Sequence, residues 1–153
     1  MNSKLWGTIT WIFFHTLAEK IKEEEFEKNR IIFINIIINT CNHLPCPDCS
    51  QHATFILKNA YLKNIKTKNH FIEFLRQFHN IVNIKINNPE LTREDTIDLY
   101  KKNNLFAIFK NMVNIYRSTK SSNALIGYNF HRDRYLSELS KELKNISHLL
   151  YLD

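Results

Sequence analysis

The sequence predicts an all-α fold, a compact four- or five-helix bundle with a C-terminal helical extension, on three observations. Only two glycines and three prolines occur in 153 residues, whereas β-sandwiches and open α/β sheets need turn-forming residues at short intervals. Apolar residues recur at three- and four-residue spacing along most of the chain. The β-branched run Ile36–Ile38, the best strand candidate, has no hairpin partner. This length suits one domain that buries a core without disulfide stapling. A content of 44% hydrophobic and 24% charged residues is ordinary for such a domain.

Taken in order, residues 4–28 read as a helix, because Leu5, Ile9, Ile12, Phe13, Leu17 and Ile21 share one face before charge takes over. Residues 30–43 are apolar nearly all round, the pattern of a central bundle helix. Pro45 and Pro47 end that helix and open the next, over about residues 47–62, with Pro47 suited to a first helical turn. A fourth helix spans about residues 69–87, with Phe71, Phe74, Leu75, Phe78 and Val82 as its stripe, and Asn87-Asn88-Pro89 stops it. Thr92 with Asp95 has the form of a capping box and starts a fifth helix running to about Asn103. Residues 105–117 are helical, Ser118–Asn123 is the best loop, and Asp133–Leu150 is a terminal amphipathic helix. Residues 1–103 are expected to form the functional unit, with 104–153 as an extension packed on the same domain.

The net charge of +6 is uneven: residues 1–50 hold five Lys/Arg and six Asp/Glu, and residues 51–153 hold sixteen and nine. No compact Lys/Arg run occurs, so a solvated basic surface is expected and a nucleic-acid partner is not. Trp11–Ala18 is interrupted by polar residues and lacks a clear cleavage site downstream. Ile31–Ile38 is too short to span a bilayer. A soluble, intracellular protein with no membrane span is expected, and three cysteines do not make a secreted disulfide framework.

Three clusters carry chemistry. Cys46 and Cys49 form a Cys-x-x-Cys at a predicted helix N-terminus, where orphan N–H groups and the helix dipole favour a thiolate. One-turn spacing suits either a disulfide or two metal bonds. Cys41, His43 and His52 flank the pair, so a zinc-binding interaction module using Cys41, Cys46, Cys49 and His52 is the alternative. Gly7, Trp11 and His15 share one helix face, where a glycine beside a tryptophan makes a slot for a flat ring. His79, Asn80 and Asn83 line one side of a helix whose other side is phenylalanine. These groups suit a planar, multiply hydrogen-bonding ligand, or equally a solvated face. A flavin-free disulfide carrier is disfavoured because no βαβ pattern surrounds the cysteines.

The three clusters in order are more specific than any one alone. Gly7-Thr8-Ile9-Thr10-Trp11 with His15, Pro45-Cys46-Pro47-Asp48-Cys49, and His79-Asn80-Ile81-Val82-Asn83-Ile84-Lys85 through Pro89 resemble the Erv/ALR family of FAD-dependent sulfhydryl oxidases, over about residues 4–100. The opening residues and the run around the cysteines are similar to short members from large cytoplasmic DNA viruses.

The resemblance implies a helical bundle, a homodimer, that oxidises protein thiols through a Cys46–Cys49 disulfide. Electrons pass via FAD to O2, giving hydrogen peroxide, in support of disulfide formation in viral proteins. It implies that Cys46 faces substrate and Cys49 faces the flavin. Gly7, Thr8, Trp11 and His15 would line the FAD pocket, with His52 beside Cys49. His79, Asn80 and Asn83 would contact the adenosine portion, Val82 would pack beside them, Lys85 would lie near the phosphate–ribose region, and Tyr100 would stack on adenine. No metal is implied. The implied location is the host cytoplasm, at the viral factory, with packaging in the virion as a further option. The chain departs from the family pattern at Thr8, often arginine, and at Asn88, often lysine. It also has no cysteine after Cys49. Cys41 reads as a buried free thiol on an apolar helix.

Overall fold

A computed structural model of the chain describes residues 3–119 and 125–152. Among these, seven α-helices follow one another: α1 (Ser3–Lys20), α2 (Glu23–Cys41), α3 (Pro47–Lys58), α4 (Lys68–Lys85), α5 (Arg93–Tyr100), α6 (Leu105–Ser118) and α7 (Ile126–Asn145). The fold is all-α, as expected, and one antiparallel bridge between Ile21 and Leu150 is the extent of β pairing among the described residues.

α1 is the hub. Trp6, Ile9, Phe13, Phe14 and Leu17 are buried, and α4, α5 and α6 all pack on this helix. The sequence reading gave the central place to α2. That helix buries Phe26, Phe33, Ile34, Ile36 and Ile37 but leaves Ile31 exposed. α6 sits along α1 through Phe109, Met112 and Tyr116, with the Phe13 and Phe109 rings 5.6 Å apart. The Tyr116 hydroxyl pairs with Thr10 in the interior. Residues beyond 103 therefore share the core of residues 1–103.

Two expected boundaries are corrected. The first helix does not run to residue 28: it stops at Lys20, and Glu23, Glu24 and Glu25 open α2. Three carboxylates in a first turn complement the helix dipole, so the charge that read as the tail of one helix is the head of the next. No glycine or proline marks this break. Instead residues 149–151 complete its hydrogen bonds, with Lys22 N–H donating to the Leu149 carbonyl (2.9 Å) and Tyr151 N–H to the Lys20 carbonyl (2.7 Å). The last long helix starts at Ile126, not Asp133, and ends at Asn145. The loop expected at Ser118–Asn123 falls largely outside the described residues.

Other ends follow local chemistry. α3 stops at Lys58, short of residue 62, and a 3₁₀ turn over Leu62–Asn64 follows. α4 ends in a Schellman turn: Asn88 N–H donates to the Asn83 carbonyl (2.8 Å) and Asn87 N–H to that of Ile84 (3.3 Å). Asn87 takes the left-handed conformation at φ 60°, which asparagine tolerates at this position. The Thr92–Asp95 capping box forms as expected, both reciprocal bonds being present.

Candidate active site

Helical spacing puts Trp11 and His15 one turn apart on α1, and α4 crosses them so that His79 lies flat on Trp11. The two rings are 4.1 Å apart and 6° from parallel. His15 sits between His79 (5.1 Å) and Tyr100 of α5 (4.6 Å, 19°). Phe78 meets the Trp11 ring edge-on at 5.0 Å. Four of the expected residues from three helices thus form one stack of rings, closed by a hydrogen bond between His15 Nε2 and His79 Nδ1 at 2.9 Å.

Burial governs the charge of this stack. It brings His15 down to about 3, helped by neighbouring His79, and brings His79 down to about 4. Burial also holds the Tyr100 hydroxyl above the ordinary phenol range. At neutral pH both imidazoles are uncharged, so one donates and the other accepts across the 2.9 Å contact. The surface they make is apolar on its faces and polar at its edges.

Asn80 and Asn83 lie buried beneath the same face of α4. Asn80 clasps the chain after the helix: its Oδ1 accepts from Leu91 N–H (2.8 Å) and its Nδ2 donates to the Leu91 carbonyl (3.0 Å). Asn83 Nδ2 donates to the Asn80 oxygen at 3.4 Å. The clasp holds the segment leading into α5, and hence Tyr100, against α1 and α4. Leu91 was invisible to sequence reasoning because it acts through its backbone. Val82 is half-buried against the core. Gly7 is half-buried, and a Cβ placed there would meet no atom within 4 Å, so open space lies one turn before Trp11. Thr8 and Lys85 are exposed, and His52 is half-buried on α3. No hydrogen bond or ring contact among the described residues joins His52 or Lys85 to the ring stack.

The dithiol occupies the junction of α2 and α3. Cys46 is the N-cap of α3 in extended conformation (φ −125°, ψ 113°), and its Sγ accepts Cys49 N–H at 3.2 Å. Pro47 at the first helical position restricts the residue before it to this conformation and supplies a preset φ for the helix. Both thiols are half-buried and free. Burial, followed by the bond and charge of Cys46, pushes Cys49 up to about 12. A surface groove of about 610 Å³ opens beside the pair, lined by Pro47, Ser50, Thr54, Phe55, Lys58 and Tyr128 among others. Phe55 is 67% exposed in it.

The zinc reading is not favoured. No group of three or more His, Cys, Asp or Glu side chains among the described residues is arranged to hold a metal ion. Cys41 is fully buried, which raises its pKa strongly by desolvation. His43 is turned away from it, donating through Nδ1 to the Asn39 carbonyl (2.6 Å) and stacking on Tyr135 at 4.5 Å.

Comparison with known proteins decides the lineage. The family model of the Erv1/Alr family matches residues 8–104. The chain belongs to the Erv1/Alr family. Two similar viral proteins carry names that designate FAD-linked sulfhydryl oxidases. One, 096R of Invertebrate iridescent virus 3, is 28% identical over 102 residues, covering 66% of this chain and 69% of its own length. The other, FPV093 of Fowlpox virus, is 28% identical over 90 residues, covering 59% of this chain and 87% of its own. No solved structure matches the chain. For this Erv1/Alr member the matched segment contains both the ring stack and the dithiol, and it ends just before α6. No described helix is long and apolar enough to cross a membrane.

Proposed function

We propose that this Erv1/Alr protein is an FAD-linked thiol oxidase that forms disulfides in protein substrates, with Cys46 and Cys49 as its redox pair. The observation that carries the reading is the neutral stack of Trp11, His79, His15 and Tyr100. A dithiol carrier or a metal-stabilised module has no use for such a surface, whereas a flavin nucleotide is planar, aromatic and polar at its rim.

The residues fit FAD on that ground. Trp11, His15, His79 and Tyr100 offer ring faces and uncharged ring nitrogens. Asn80 and Asn83 offer amides beside them, Val82 packs alongside, and open space lies at Gly7 and Thr8. Exposed Lys85 would lie toward the phosphates, and His52 beside Cys49. When bound, FAD supplies a two-electron acceptor that returns the reduced pair to the disulfide, with O2 as the final acceptor and hydrogen peroxide as product.

The chain's own part is thiol–disulfide exchange. A substrate thiolate attacks the sulfur of Cys46 in the Cys46–Cys49 disulfide, giving a mixed disulfide and releasing Cys49 as the thiolate. A second substrate thiolate attacks the substrate sulfur of that bond. Two substrate thiols become one disulfide, Cys46 and Cys49 take up the two electrons, and the two substrate protons end on them. The groove at Phe55 gives a protein thiol room to approach.

The proposal also takes residues 1–103 as the oxidase unit carrying 104–153, a homodimer as the assembly, and the host cytoplasm at the viral factory, or the virion, as the location. Both relatives named above are viral. The absorbance spectrum of the purified protein tests the core of the reading. A stoichiometric flavin band together with oxygen consumption in dithiothreitol is expected. A colourless protein that contains zinc would overturn it, and sedimentation at equilibrium reads the dimer.

A further inference from the structure

We infer that Tyr128 of α7, outside the family-matched segment, is a positioning residue for the redox pair. It clamps the turn that presents Cys46. Its hydroxyl donates to the Leu44 carbonyl. It also pairs with Ser50 Oγ at 2.8 Å, and Ser50 Oγ accepts Leu44 N–H at 3.0 Å. These bonds close a ring that joins residue 128 to both sides of the Cys-x-x-Cys. With the Leu44 carbonyl taken by Tyr128 and the Leu44 amide by Ser50, the Ser50 proton goes to the Tyr128 oxygen. Every polar atom of the ring is then satisfied.

The ring adds polar anchoring to a turn whose apolar anchors are buried Leu44 and the two cysteines packed against the core. Pro45 and Pro47 have no N–H to donate, and each restricts the residue before it, Leu44 and Cys46, to extended conformations. Restriction sets the shape of the segment but not its position against the core. Leu44 is buried, and its carbonyl would be left without a partner if the Tyr128 hydroxyl were removed, a cost that moves the backbone toward water. Two residues further on, Cys46 Sγ must stay within reach of Cys49 N–H, now at 3.2 Å. That bond is made by the free sulfur of the reduced pair, so keeping it in reach favours the reduced pair over the disulfide. Burial keeps the Tyr128 hydroxyl above the usual phenol range, so it remains a donor at working pH. Tyr128 touches neither sulfur in a hydrogen bond and acts through the backbone of Leu44.

The inference rests on the reading of Cys46–Cys49 as a redox pair, and its test needs no flavin. Wild type and Tyr128→Phe are equilibrated in glutathione buffers, and the fraction of Cys46–Cys49 disulfide is measured by mass after alkylation. The phenylalanine variant keeps the ring and loses the clamp. Its equilibrium is expected to move toward the disulfide by about tenfold, roughly 30 mV for a two-electron couple. The alkylation rate of Cys46, set by how the turn presents its sulfur, is expected to change as well. A purely structural role would lower the melting temperature and leave both readouts unchanged. Unchanged readouts in a folded Tyr128→Phe protein would therefore overturn the inference. Ser50→Ala, which removes two of the three bonds, is expected to give the same shift and decides the matter where Tyr128→Phe does not fold. A wild type that forms no Cys46–Cys49 disulfide in any buffer would overturn the redox reading itself, and this inference with it.

Discussion

The ring stack and the dithiol solve opposite problems with opposite means. The stack on α1, α4 and α5 is aromatic, with His15 and Tyr100 buried and Trp11 and His79 half-buried, and its two histidines are held neutral by burial. The dithiol at the head of α3 is half-buried, beside an open groove, and flanked by Leu44 and Ser50, which hydrogen-bond to Tyr128 of α7. A surface that must bind a flat group tightly is built from rigid rings. A pair of sulfurs that must meet a partner and exchange bonds is left reachable and is aimed by its backbone. On the proposed reading, binding falls to α1, α4 and α5 and chemistry to the head of α3.

The sharpest way to break this division is at the sulfurs. Cys46→Ser and Cys49→Ser are each expected to abolish oxygen consumption with dithiothreitol while leaving the flavin content of the purified protein near that of wild type. Loss of flavin in either variant would show that the two regions are not independent. Trp11→Ala attacks the other side. It removes the contacts with His79, Phe78 and Phe14, and is expected to strip the flavin and cost at least about 2 kcal/mol in urea unfolding. A Trp11→Ala protein that purifies fully yellow would contradict the placement of the pocket.

A smaller effect follows from the histidines. In the unfolded chain each takes a proton near pH 6.5, whereas the folded protein resists until about 4 at His79 and about 3 at His15. Between these values the unfolded state binds more protons. The contribution is thus complete above pH 6.5 and is lost as the pH falls, by on the order of 1 kcal/mol per pH unit per ring. Urea midpoints at pH 7, 5.5 and 4.5 should fall in that order. His79→Gln should flatten the trend, and a flat trend in wild type would mean that the rings are charged in the folded state.

The smallest effect is expected at Cys41. Buried in the core with no hydrogen-bond role in the redox turn, it should tolerate Cys41→Ala with activity per bound flavin unchanged. Reduced activity per flavin would make it part of the electron path.

The ring stack was legible because Trp11 and His15 sit one turn apart and His79 heads the asparagine pair, whereas Tyr100 entered through the family resemblance alone. The clamp was not, because Tyr128 stands in no motif and lies before Asp133, where the terminal helix was expected to start. Its partners Leu44 and Ser50 also act partly through backbone atoms, which carry no side-chain signature. The helix break at Ile21 escaped for a related reason. Apolar periodicity runs straight through it, and the groups that satisfy it come from the far end of the sequence. Asn80 shows the middle case. Its face of α4 was open between a ligand site and solvent, and its commitment to Leu91 depends on how the loop after α4 returns.

That break at Ile21 also sets an order of events during synthesis. α1 carries the rings and α2 leads to the sulfurs, so the joint between them governs how the two halves of the chemistry meet. Yet the Lys20 carbonyl and the Lys22 amide take partners in residues 149–151. A growing chain displays both helices long before the strap that locks their angle has left the ribosome. The joint between the ring-bearing helix and the helix that leads to the sulfurs is thus completed only after residues 149–151 have been made.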